Sequence, residues 1–86
     1  MKLHMFSIVQ IVNETASVKR LRAETHEDAL LKSEDIPLDD KEAREFYSQE
    51  YSGPGSNGMQ TIDEYVCIYW HQEGMTVITC VENVGF

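Results

Sequence analysis

IDEYVCIYWHQEGMTVITCV, residues 62–81, is the stretch on which the fold turns. Residues 62–71 and 75–81 are dense in Val, Ile, Tyr, Trp and Thr, the types that fit a pleated, half-buried surface. Gly74 lies between them and can adopt the positive φ of a tight turn, so the segment reads as an antiparallel hairpin. Two registers are open. A two-residue Glu73-Gly74 loop sets Cys67 opposite Cys80 and Tyr69 opposite Ile78. A three-residue Gln72-Glu73-Gly74 loop with a bulge sets Cys67 opposite Thr79. The second suits the residues better, because a type I turn followed by glycine tolerates Gln-Glu where a primed turn does not.

Working back from the hairpin, residues 52–58, SGPGSNG, have no periodicity and many turn formers, and read as a flexible loop. Before them Ala43, Phe46, Tyr47 and Tyr51 recur at i, i+3, i+4 and i+8, the apolar stripe of an amphipathic helix. Asp39 is placed to cap that helix, with Glu42 reciprocating. Pro37 separates it from a shorter helix in which Thr25 and Asp28 resemble a capping box and Ala29, Leu30 and Leu31 form the buried face. The N-terminal 23 residues carry two further strands. Residues 3–12 are apolar on both faces, as in a central strand, and residues 17–23 follow a turn at residues 13–16. Lys19, Arg20 and Arg22 make that second strand polar and suit an edge. The order β-β-α-α-β-β implies an α+β class: a roughly four-stranded antiparallel sheet with two short helices packed on one face. Eighty-six residues make one compact domain, residues 1–86, with a single modest core.

Charge is the strongest compositional fact. The net charge is −8, and residues 24–50 hold ten acids against three bases while the remaining residues hold five against four. Such a surface repels nucleic acid and anionic membranes and attracts basic partners. The N-terminal run, broken by His4, Ser7 and Gln10, has neither the length of a membrane span nor the pattern of a cleaved signal, so a cytoplasmic setting is expected. Cys67 and Cys80 are too few to staple a secreted mini-protein and read as reduced thiols.

Motifs for chemistry are weak. Cys67 and His71 would lie about 13 Å apart along one strand, too far for joint metal ligation. His4, His26 and His71 have no spacing that activates either thiol. His26-Glu27-Asp28 is not a zinc motif, and the glycines at 53, 55 and 58 lack the following lysine of a phosphate loop. Asp39-Asp40 read as helix-start charge and Asp63-Glu64 as a strand entrance. Asn13-Glu14-Thr15 matches a glycosylation sequon without a secretory signal. No catalytic residue, metal or cofactor is expected.

Two surface features point to interaction. Glu27, Asp28, Glu34, Asp35, Asp39, Asp40, Glu42 and Glu45 would line a negative helical layer suited to a basic groove. The second feature is aromatic, Tyr47 and Tyr51 beside the loop and Tyr65 and Tyr69 with Trp70 on the strand of residues 62–71, although Phe46 and Trp70 are expected in the core. In size and charge the chain resembles the small acidic proteins that phages turn against host defences, anti-CRISPR and anti-restriction proteins among them, and the acidic immunity proteins that neutralise nuclease toxins. That is a resemblance of build, with no shared motif. It implies an inhibitor or antagonist that occupies a basic, nucleic-acid-binding surface of a target protein, without touching nucleic acid or membrane directly. The alternative is an assembly module that forms a homodimer through the strand edge ending in residues 81–86. A small enzyme ranks third, and requires a concave site lined by histidine or cysteine.

Overall fold

The computed structural model describes residues 2–48, 58–62 and 65–81. The elements are β1 (His4–Val12), β2 (Thr15–Ala23), α1 (His26–Ser33), α2 (Lys41–Ser48), β3 (Gly58–Thr61), β4 (Val66–His71) and β5 (Gly74–Cys80). The strands form one five-stranded antiparallel sheet in the order β2-β1-β5-β4-β3. β1 is flanked on both sides and β2 lies at an edge, as their apolar and basic patterns require. The sheet has one strand more than expected. β3 is four residues long, too short to show a period, and β4 begins at Val66, not at Ile62, after a connection whose residues 63–64 lie outside the described residues. Ile62 N–H donates to Val66 O at 2.9 Å and closes that connection.

The β4–β5 hairpin follows neither expected register. His71 pairs with Gly74, Cys67 with Ile78 and Tyr69 with Thr76, so Gln72 and Glu73 alone form the loop. Gly74 belongs to β5, where it also pairs with Val12 of β1. Its φ of +156° and the closeness of Ile11 O explain the glycine, rather than a place in the turn. At the other hairpin Asn13 and Glu14 both take positive φ, 50° and 66°, as a two-residue primed turn demands.

Alternation on the strands sorts the sheet into two faces. Phe6 and Ile8 of β1, Ala23 of β2, Tyr69 of β4, and Ile78 and Cys80 of β5 meet Ala29 and Leu30 of α1 in the core, with Leu21, Tyr47 and Met59 packed against it. Both cysteines are free and buried on this face. At 43% exposure Phe46 stays outside this core, contrary to its place in the helical stripe. Trp70, a second expected core residue, sits on the opposite face, where its Nε1 donates to Gln60 Oε1 at 3.2 Å. Among the described residues no helix is long and apolar enough to cross a membrane.

Local chemistry fixes the helices. Thr25 caps α1, its Oγ1 accepting from Asp28 N–H at 3.1 Å. At the other end Asp35 N–H donates to Lys32 O and Ile36 N–H to Leu31 O, with Asp35 at φ 58° in the left-handed position of a Schellman motif. An aspartate there is strained relative to glycine. Asp35→Gly is expected to stabilise the fold by about 0.5–1 kcal/mol, seen as a higher urea midpoint at unchanged slope. A midpoint that falls would mean that the Asp35 carboxylate contributes more than its backbone costs.

α2 is capped by Asp40, not Asp39. Ala43 N–H donates to Asp40 Oδ1 at 3.0 Å. The reason lies upstream: Asp40 N–H is spent on Pro37 O in a turn, so helical bonding begins only with Arg44 N–H to Asp40 O. The helix is described as far as Ser48; its expected continuation to Tyr51 and most of the loop at 52–58 lie outside the described residues.

Candidate functional site

α1 is eight residues long, about 12 Å, whereas the nine residues of β1 beneath it span about 30 Å. The helix therefore leaves one end of the covered sheet face bare. That end carries Gln10 and Val12 of β1, Tyr69 and His71 of β4, and the Gln72-Glu73 turn. Glu34 at the C-cap of α1 and Tyr47 of α2 close the remaining sides, and the eight residues enclose a cleft of about 520 Å³.

The cleft has an acidic and aromatic lining. Gln10 Nε2 donates to Glu34 Oε1 at 2.9 Å and holds that carboxylate over the sheet. Tyr47 and Tyr69 meet edge to face with centroids 4.9 Å apart, and His71 tilts against Tyr69 at 5.4 Å. His71 Nε2 lies 3.4 Å from the buried Thr76 Oγ1. Tyr69 is 5% exposed and lines the cleft. A phenol so placed is a ready donor and acceptor for a guest.

Burial pushes the Tyr69 phenol up to about 12, with Tyr47 and the Glu34 charge adding to the rise. Burial first and Glu34 second also raise Tyr47. Both rings are neutral at physiological pH. Because the folded state holds the Tyr69 proton more tightly than the unfolded chain does, this contribution to stability is complete below about pH 10 and disappears as pH rises to about 12. Denaturation midpoints should fall across that window in the native protein and fall less in Tyr69→Phe. Equal declines in the two would remove Tyr69 as the cause.

A second constellation holds the helices together. The Arg44 guanidinium spans α1 and α2: Nη1 donates to Glu27 Oε1 at 2.7 Å, Nη2 to Asp28 Oδ1 at 2.5 Å, and Nε to Leu38 O at 2.6 Å. The Asp28 hydrogen bond is the main reason that the Arg44 pKa is raised; burial opposes it and Glu27 adds to it.

The expected interaction residues thus divide. Glu27 and the buried Asp28 are engaged by Arg44, and Asp28 is withdrawn from the solvent face on which it was expected. Asp40 caps α2. Asp35, Asp39, Glu42 and Glu45 are exposed. Glu34 and Tyr47 enter the cleft, and Tyr51 lies outside the described residues. Sequence reasoning missed Gln10, Gln72 and Glu73 as site residues, and it weighed His71 only as a metal ligand or as a base for a cysteine thiol. A signal was present: Gln10 and His71 share strand parity with the core residues Phe6, Ile8 and Tyr69, and polar side chains on a core face mark a gap in its cover.

His71 gives the enzyme reading the concave, histidine-lined site that it requires. No serine, threonine or cysteine stands among the described lining residues beside it: Thr76 is 1% exposed and both cysteines are buried in the sheet. No group of three or more His, Cys, Asp and Glu among the described residues is arranged to hold a metal ion. Comparison of the chain with protein-family models, with curated proteins and with solved structures finds no match.

Proposed function

We propose that this chain is a partner-binding protein, an inhibitor or antagonist that occupies a basic, nucleic-acid-binding surface of a target protein through its helical side. The cleft carries this reading. Tyr47 and Tyr69 place neutral aromatic rings in the same concavity as the Glu34 and Glu73 carboxylates. That is the complement of an arginine side chain, whose guanidinium lies against an aromatic face and donates paired hydrogen bonds to carboxylate. Around the cleft, the exposed Asp35, Asp39, Glu42 and Glu45 supply the long-range attraction that steers a basic surface into place.

The test is capture from nuclease-treated extract of the native host at low and at moderate ionic strength, with the native chain and with Glu34→Lys/Glu73→Lys. A basic nucleic-acid-binding protein should be retained by the native chain at low salt, lost at higher salt and lost in the variant. The purified protein should then compete with nucleic acid for that target. Retention of the same partner by the variant, or retention insensitive to salt, would contradict the reading.

A further inference from the structure

On the face of the sheet away from the helices two rows of side chains are apolar and, among the described residues, uncovered, beside a third row that holds Arg20, Ser7 and Thr79. Strand register puts Val18, Val9, Val77 and Ile68 in one row across β2, β1, β5 and β4. Ile11, Met75 and Trp70 form the next row. All seven side chains are accessible, and Val18 is 66% exposed. In a chain with fifteen acids, no carboxylate stands on this face of the described strands, whereas Arg20 and Arg22 do. Core-facing alternation explains one face of these strands. It gives no reason for the other to be apolar as well, unless something covers it.

We infer that this face is the interface of a homodimer in which two copies pack sheet to sheet, with the helical layers outward. Charge complementarity favours a second copy. A two-fold axis along the Val18–Val9–Val77–Ile68 row stacks β2 on β2 with strand direction reversed. Position 18 + n of one copy then lies over 18 − n of the other, so Arg22 meets the turn that carries Glu14, twice by symmetry. The valines of the row self-pair at the centre. Area agrees: five strands about 4.8 Å apart over about seven residues give a footprint near 500 Å² per copy, and the pair reaches the roughly 1,000 Å² at which specific interfaces begin. Two sheets packed so lie about 10 Å apart, the spacing of a β-sandwich. This differs from pairing through the strand edge, which on β2 is guarded by Lys19 and the arginines. It also leaves both clefts free, so it does not depend on the function proposed above.

Sedimentation equilibrium of the full chain decides the matter. The native protein should run at twice 9.9 kDa. Val18→Glu, at an exposed edge position that any folded state tolerates, should be monomeric with an unchanged circular dichroism spectrum, as should Val77→Glu. Arg22→Glu should weaken the dimer about tenfold, and Arg22→Glu/Glu14→Arg should restore it. A native chain that stays monomeric up to about 1 mM overturns the inference, since the face must then belong to another segment or another protein. A dimer that survives Val18→Glu and Val77→Glu overturns it equally, and one that the charge swap fails to rescue overturns the proposed axis.

Discussion

Replacing Gly74 by alanine is expected to cost about 4 kcal/mol, a large part of the 5–15 kcal/mol that holds a small domain together, and to lower the thermal midpoint by roughly 20 °C. The added Cβ would sit 1.8 Å from Ile11 O and 2.9 Å from Ile11 C. Those are backbone atoms, so no rotamer change relieves the overlap. Ile11 cannot easily retreat, because β1 is paired with β2 at Ala16 and with β5 at Met75. The φ of +156° adds strain for any L side chain. Three strands meet at this point: Gly74 pairs with both His71 and Val12, and Asn13 N–H donates to Glu73 O at 3.3 Å. Displacement there also reshapes the end of the sheet where the cleft lies. Urea denaturation followed by circular dichroism measures the loss, and one below about 1 kcal/mol would mean that the close approach to Ile11 does not exist in solution.

Arg44→Met should cost about 2 kcal/mol. The guanidinium itself is over a third exposed and its own loss is cheap, but the Asp28 side chain is 8% exposed and would be left as a buried carboxylate without its cation. Leu38 O and Glu27 lose their donor as well. Asp28→Asn should recover part of this loss in the Arg44→Met background and should itself destabilise the native chain, a coupling that a double-mutant cycle isolates. The effect should also be local. With the clasp gone α2 loosens and carries Tyr47 away from Tyr69, so amide exchange should quicken in α2 and leave the central β1 and β5 protected. Uniform quickening across the sheet would show that the clasp belongs to the global fold instead.

Much of this architecture could be read from single residues. Thr25 announced the start of α1, the two-faced apolar pattern of residues 3–12 gave a central strand, and the basic residues of β2 gave an edge. The errors have physical causes. Glycine is the usual solution to positive φ in a loop, which makes Gly74 read as a turn residue, yet its role is to admit the Ile11 carbonyl from a neighbouring strand. That contact is long-range and leaves no local trace. Asp39 and Asp40 are equally good caps by composition, and only the Pro37 turn, which consumes Asp40 N–H, chooses between them. The charge count puts the acids in the helical segment but cannot see that Arg44 engages both Glu27 and Asp28. The cleft was the least legible feature, since its lining comes from β1, α1, α2, β4 and a turn, and depends on how far a short helix reaches over a long strand.

The central claim is that this acidic protein recognises a cationic side chain in the cleft rather than by diffuse charge alone. Amide and side-chain chemical shifts during titration of the labelled protein with a hexa-arginine peptide test it most directly. The account predicts changes concentrated at Glu34, Tyr47, Tyr69, His71 and Glu73, reduced in Tyr69→Phe and weakened by salt. Changes confined to the exposed carboxylates Asp39, Glu42 and Glu45, with the cleft resonances unmoved, would contradict it.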